Sequence, residues 1–225
     1  MQQGLALKEQ TIKVISMEYP SKNTALILVD PYNDFMSPKG KAWPLASKVT
    51  KEVNLIEHMQ AITQRCRQQG WTIAYAPHHR FKKGSFSERK YLHPSQILQQ
   101  KSASFKADSF GSEFYPSLSP QAGDTISSEH DCSSGFTGTN LHEQLSNKGI
   151  THVVLAGFLS NTCIESTARS AIDLGYHVTL LDDAVSAWSP VDHKAAVEVN
   201  YPLLAHRLTN TRNFLRAFHM ETSPC

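Results

Sequence analysis

The chain has 225 residues, of which 40% are hydrophobic and 19% charged, an ordinary makeup for a folded globular domain. Its 22 Lys and Arg against 20 Asp and Glu leave a formal charge of +2, too little to draw the molecule onto nucleic acid or an anionic membrane. No apolar run is long enough to cross a bilayer.

Cysteines stand at positions 66, 132, 163 and 225 with no CxxC pair, so neither a disulfide framework nor a zinc-ligand spacing is visible. No basic segment followed by an apolar run reads as a signal peptide, and the expectation is a reducing, cytoplasmic compartment. The basic stretch with Arg80, Lys82, Lys83, Arg89 and Lys90 reads as a solvated loop.

Residues 1–22 are mixed and read as an arm; a single domain is expected over 23–225. Thr24 to Asp30 is a continuous apolar run that ends in an acid and is bounded by Pro31. Such a run predicts a strand buried on both faces, as in a parallel sheet. From Leu45 to Gln69, Val49, Val53, Ile56, Met59, Ile62 and Cys66 recur every three or four positions. This spacing predicts an amphipathic helix, with Gly70 as its stop. Thr72 to Pro77 is a second strand. Residues 78–123 are rich in loops, prolines and aromatics, and so long a segment in a domain builds a site or an oligomer contact. Strands are then expected at Asp124–Ser128, His152–Gly157, Tyr176–Leu181 and Arg207–Thr209. Helices are expected at Thr139–Lys148, Cys163–Leu174 and Val191–Ala205, the last interrupted near Pro202. The alternation implies an α/β fold in three layers, with a mainly parallel sheet of about six strands. In such sheets sites form at the carboxyl ends of the strands.

Two reactive side chains fall at such ends. Cys163 follows the strand and the tight segment Gly157-Phe-Leu-Ser-Asn-Thr162, and it opens a helix. A helix N-terminus favours the thiolate and offers free N–H groups to a developing oxyanion; the competing role is a buried small apolar residue. Cys66 belongs to the apolar face of its helix. Asp30 ends an apolar strand, where an acid needs a partner or an exposed edge; Asp34 reads as a turn former.

These residues stand in a pattern that resembles the isochorismatase-like cysteine hydrolases, which include nicotinamidases and other amide hydrolases. The matching segments are Leu28-Val-Asp30-Pro-Tyr-Asn-Asp-Phe35, Ser134-Gly-Phe136-Thr-Gly-Thr139 and Gly157-Phe-Leu-Ser-Asn-Thr-Cys163-Ile-Glu-Ser-Thr167-Ala168. Gly175-Tyr-His-Val and Asp182-Asp-Ala184 follow, so the resemblance covers about 22–210. It implies that Asp30 takes the proton of Cys163 and that the thiolate attacks a carbonyl carbon to give a thioester. It further implies a cis peptide between Phe158 and Leu159, with the N–H groups of Leu159 and Cys163 as the oxyanion hole. Phe35, His79, Phe136 and Phe158 are the candidate substrate contacts, with Phe86 a further candidate wall.

Two departures from the family stand out. The third catalytic member is normally a lysine shortly before the Ser-Gly-Phe match, yet Thr125 to Phe136 contains none. That position falls on Ser128 or His130, and His130 is the one potential cation there. Its ring could donate a hydrogen bond to Asp30 or carry charge beside it. The nicotinamidases also hold a metal with an Asp-x-His pair, where this chain reads Ala76-Pro-His78-His79-Arg80. His78, His79 and His93 remain, but adjacent side chains rarely converge on one ion; neither a metal nor another cofactor is expected.

The leading expectation is a small-molecule amide hydrolase. A vinyl-ether hydrolase acting on isochorismate is a second reading, disfavoured because family members of that type lack the nucleophilic cysteine. A third is an inactive fold kept for binding or assembly. A nucleotide-dependent oxidoreductase is excluded by the lack of GxGxxG after the first strand. No nucleic-acid or membrane partner is expected, and similar proteins are commonly homo-oligomers. Light scattering should therefore find a dimer or larger; a stable monomer would rule out a site shared between subunits.

Overall fold

The six residues of β1, Thr24–Val29, are all buried, and that fact organises the rest of the molecule. A strand covered on both faces needs a layer on each. In this computed structural model, which describes residues 19–218, both layers are present. Leu26 and Leu28 face one core with Ile73, Tyr75 and Val154, under Met59, Ile62 and Phe214. Ala25, Ile27 and Val29 face the other, with Leu155 and Leu180, under Leu145, Ala168 and Ala171. The period of two in a strand separates these sets.

The sheet continues with β2 (Thr72–Ala76), β3 (Thr125–Ile126), β4 (His152–Phe158), β5 (His177–Ser186) and β6 (Arg207–Thr209). Its order is β3-β2-β1-β4-β5-β6, and every pair is parallel. Around it lie α1 (Asn33–Met36), α2 (Trp43–Glu52), α3 (Leu55–Gln68), α4 (Pro94–Ser102) and α5 (Leu141–Asn147). They are followed by α6 (Glu165–Asp173), α7 (Pro190–Lys194), α8 (Tyr201–Leu204) and α9 (Thr211–Ala217). No helix of the described residues is long and apolar enough to cross a membrane. Most of the expected arm lies outside the described residues; Ser21–Asn23 form a short 3-10 turn into β1.

Several expected elements differ in extent. The single helix expected over 45–69 is two, because Asn54 takes a left-handed conformation (φ 49°) between α2 and α3; asparagine tolerates that region better than most residues. The strand expected at 124–128 narrows to Thr125–Ile126. The helix expected from Cys163 begins as a wide π turn over Ser160–Ile164 and becomes regular only at Glu165. Within the expected 191–205 helix, a π segment at Ala195–Asn200 separates α7 from α8, and Pro202 lies in the first turn of α8, where its missing N–H is harmless. The 78–123 segment contains α4, which the composition did not reveal.

Connections from β1 to β2 and from β4 to β5 leave in opposite directions along the sheet, so the β1–β4 boundary is the switch point where a crevice opens. Val29 is in register with Gly157 there. A Cβ at Gly157 would lie 2.1 Å from the Val29 carbonyl oxygen, and its φ is +125°, so only glycine fits. We expect Gly157→Ala to lower unfolding free energy by about 2–4 kcal/mol, the usual scale for a forced backbone clash. Urea denaturation would check it, and an unchanged midpoint would show that the two strands can part without loss.

Candidate active site

Asp30 is the first residue after β1 and takes a left-handed conformation, φ 55°. Its N–H donates to the Ala76 carbonyl at 3.2 Å, and its own carbonyl accepts from Tyr32 N–H at 2.7 Å. The turn at Pro31 thus leaves the Asp30 side chain, 0% exposed, at the switch point. Cys163, 7% exposed, arrives from the far side of the same boundary on the π turn after β4. His130 comes from beyond β3. Its N–H donates to the Pro77 carbonyl, and its carbonyl accepts from His79 N–H, both at 2.9 Å. A bridge between His78 and His130 carries the β2–β3 pairing past the strand ends.

The side-chain donor atoms of Asp30, His130 and Cys163 all lie within 4.8 Å of one another. His130 Nε2 donates to Asp30 Oδ1 at 2.9 Å, since an ionised carboxylate only accepts. Asp30 Oδ2 and His130 Nδ1 are buried without a hydrogen-bond partner among the described residues. Oδ2 is therefore left to accept a proton from a neighbouring acid. Ser128, the alternative to His130 in the sequence, is instead bound through its hydroxyl to Asn140 N–H at 3.2 Å.

Electrostatics revise one expectation. The helix start was expected to favour a resting thiolate, but burial pushes the Cys163 pKa well above its ordinary value. The Asp30 carboxylate adds to that rise. Hydrogen bonding to the Leu159 backbone and the Thr162 hydroxyl (3.9 Å from Sγ) acts the other way without winning. Desolvation outweighs a partial dipole charge because a buried anion loses its whole hydration shell. At rest Cys163 is therefore a thiol. His78, whose ring centroid lies 5.0 Å from that of His130, has its pKa lowered mainly by burial and is neutral at pH 7.

The peptide between Phe158 and Leu159 is cis. It turns the chain from β4 into the segment that carries Cys163. The Leu159 carbonyl accepts from Thr162 and Ile164 N–H groups at 3.1 and 3.0 Å, which fastens the turn.

At Cys163 opens a cavity of about 450 Å³ whose lining includes Phe35, His78, Leu159 and Cys163. Of the expected substrate contacts, Phe35 lines it and three do not. Phe136 is on the opposite side of the sheet, stacked on Tyr176 with centroids 5.7 Å apart. Phe158 lies behind Phe35 in a parallel stack at 4.7 Å. His79 is turned away: its Nε2 is 2.8 Å from the Ser85 hydroxyl and its Nδ1 3.5 Å from Asp131 Oδ1. Phe86 packs on the His79 ring at 4.8 Å and is likewise absent from the lining.

Other walls were not foreseen. Pro94, Leu98, Gln99 and Ser102 of α4 line the cavity, as residues four apart on one helical face should. A sequence signal existed: His93 and Gln96 form a capping box with Pro94 at the helix start. Trp188, Asn161 and Phe105 also line it, and no local pattern marks them.

Asp, His and Cys are also zinc-ligand types, and among the described residues Asp30, His130 and Cys163 are the one such cluster. His78, His79 and His93 do not join it. Within it the 2.9 Å Asp30–His130 contact already satisfies one donor and one acceptor.

The isochorismatase domain profile matches residues 24–211. The chain belongs to the isochorismatase family. It is 37% identical to the uncharacterized isochorismatase family protein YwoC of Bacillus subtilis over 46% of this chain, and the match spans about half, 53%, of that relative's length. The ureidoacrylate amidohydrolase RutB of Acinetobacter baylyi is 26% identical over 90% of this chain and 86% of its own. A probable inactive nicotinamidase of Arabidopsis thaliana is 26% identical over 78% of this chain and 87% of its own. Among solved structures, a cysteine hydrolase from Pseudomonas syringae has a TM-score of 0.75 at 21% identity, covering 90% of this chain and 96% of that one. N-carbamoylsarcosine amidase from Thermoplasma acidophilum has a TM-score of 0.60 at 26% identity, covering 84% and 95%. This family member is thus a hydrolase-fold protein related to amidohydrolases.

A raised thiol pKa has a direct readout. Alkylation of Cys163 by iodoacetamide, mapped by mass spectrometry, should keep accelerating through pH 9 as the thiolate forms. A plateau below pH 8 would mean that the folded site holds a thiolate at rest.

Proposed function

We propose that this isochorismatase-family hydrolase cleaves an amide or related C–N bond of a small molecule through a thioester on Cys163. The observation that carries the reading is the convergence of a buried thiol that lines the cavity, a buried carboxylate with one unpartnered oxygen, and an imidazole, their donor atoms all within 4.8 Å of one another. Kinship with proteins named amidohydrolase and amidase supports the bond type.

In the proposed sequence, Asp30 Oδ2 takes the Cys163 proton as sulfur attacks the carbonyl carbon. The oxyanion is held by the N–H groups of Leu159 and Cys163. Collapse of the tetrahedral adduct breaks the C–N bond, and Asp30 returns its proton to the leaving nitrogen, giving ammonia or an amine. Water then attacks the thioester, Asp30 takes the water's proton, and the acid leaves as sulfur regains a proton. His130 holds Asp30 in place throughout and donates to Oδ1, in the position where the family resemblance implies a lysine. Its neutral ring can still donate one hydrogen bond, so the orienting role survives without a fixed charge.

A second reading, a silent family member that binds without turnover, is favoured by the lack of a lysine in 125–136 and by a relative named as inactive. A screen of amides, ureides and lactams for ammonia or amine release separates the two. On any substrate so found, Cys163→Ser should lose at least about 10³-fold in kcat, while Cys66→Ser, in the core of α3, should keep turnover. His130→Ala should lose about 10²-fold with its melting temperature little changed. EDTA should leave the rate unaltered. Full activity of Cys163→Ser would rule out the covalent route.

A further inference from the structure

Cys163 lines the cavity with Asp30 and His130 close to it, and the walls carry a separate property. Among the described residues, the lining contains no Lys, Arg, Asp or Glu. Phe35, Leu98, Phe105 and Trp188 form an apolar side, and Gln99 and Ser102 offer neutral polar groups.

The buried lining histidine does not supply a cation. His78 Nδ1 is 3.3 Å from the His79 carbonyl, an arrangement a neutral ring satisfies, and burial opposes its protonation. His93 is engaged at the start of α4, where its Nδ1 accepts from Ser95 N–H at 3.3 Å.

Three basic residues of the surrounding loops are engaged elsewhere, and none of the others lines the cavity. Arg80 lies 3.4 Å from Glu129 and its guanidinium sits over the Tyr32 and Phe114 rings. Arg89 pairs with Asp131 at 2.6 Å, and Lys41 donates to the Ala103 carbonyl at 2.7 Å. Beneath, the Asp30–His130 pair is neutral if the imidazole is charged and negative if it is not. A carboxylate entering this space would give up its hydration, find no cation, and face Asp30. A cationic group would lose its hydration against walls that hold no carboxylate, and the Asp30 carboxylate near Cys163 is already paired with His130.

We propose that this cavity selects uncharged amides or ureides with an apolar group and turns away analogues bearing a carboxylate or ammonium. The inference rests on the amide-hydrolase reading above and names its substrate class. It separates this chain from the RutB relatives, whose named substrate, ureidoacrylate, carries a carboxylate.

The test uses near-isosteric compounds that differ in charge: hexanediamide, 6-amino-6-oxohexanoate and 6-aminohexanamide. Ammonia release should give hexanediamide a kcat/KM at least about 30-fold above either charged partner, since an unpaired charge is rejected more strongly than a shape change. Equal handling within about threefold, or preference for a charged partner, would overturn the selection.

A second measurement needs no turnover. Cys163 of the intact protein is alkylated with iodoacetamide and with iodoacetate, each rate being divided by that on glutathione. The neutral reagent should be favoured at least about tenfold, and Leu98→Arg, on the wall, should narrow that ratio by restoring a cation. A ratio near one would overturn the proposal. If no amide is hydrolysed but the ratio and its Leu98→Arg response hold, the hydrolase reading fails and the charge selection stands. Hydrolysis without charge preference is the converse.

Discussion

The close approach of β1 and β4 is the constraint on which the site depends. Both strands are buried on both faces and parallel, with Val29 beside Gly157. The missing side chain at Gly157 lets the two backbones come together where a Cβ would meet the Val29 carbonyl. The crossovers diverge from this seam, so the chain opens a crevice just beyond it. Asp30 and the Cys163 turn leave the two strands into that crevice. Residues 133 positions apart are thereby set side by side by ordinary parallel pairing.

Burial at that seam sets the chemistry. The seclusion of Cys163 penalises a thiolate, and the Asp30 charge penalises it further. In the proposed reaction the thiol stays protonated until a base acts, and the unpartnered oxygen of Asp30 is the group offered for that step. His130 occupies the other oxygen. A lysine there would bring a permanent ammonium into the pocket, whereas an imidazole brings a directional donor and a titratable charge.

The walls are fastened by a residue with no reactive role. Asp34, 2% exposed, accepts from Lys41 N–H at 2.8 Å through Oδ1 and from Phe105 N–H through Oδ2. A Cβ on Gly111 would lie 2.3 Å from its Oδ1, so the loop folds directly over it. This clamp joins α1 to the long 78–123 segment and brings Phe35 and Phe105 to a centroid distance of 4.9 Å. α4 is tied in from the other direction, by Gln99 donating to the His79 carbonyl at 2.6 Å and Gln96 to the Asp131 carbonyl at 3.2 Å. The sequence reads Asp34 as a turn former; the structure places it inside α1, where its carboxylate holds distant amides.

What the sequence determined by itself was whatever local period or a contiguous motif encodes. The apolar run 24–29 and its counterparts at 72–76 and 152–158 dictate buried parallel strands. Asp30 and Cys163 were legible because each sits at the end of such a strand, and the spacing of the surrounding segments pointed to the family. His130 was legible only as one of two alternatives, since a gap in the pattern does not say which side chain reaches a carboxylate 100 positions away. Tertiary structure decided that, along with everything that depends on which face a side chain takes. Phe136 and Phe35 look alike in sequence, yet the sheet lies between them. The thiol's protonation also escaped the sequence, because a helix start can be read from residues while the depth of its burial cannot. Cavity walls come from α4, the Cys163 turn and Trp188, segments brought together only by packing, and no local signal records who their neighbours will be.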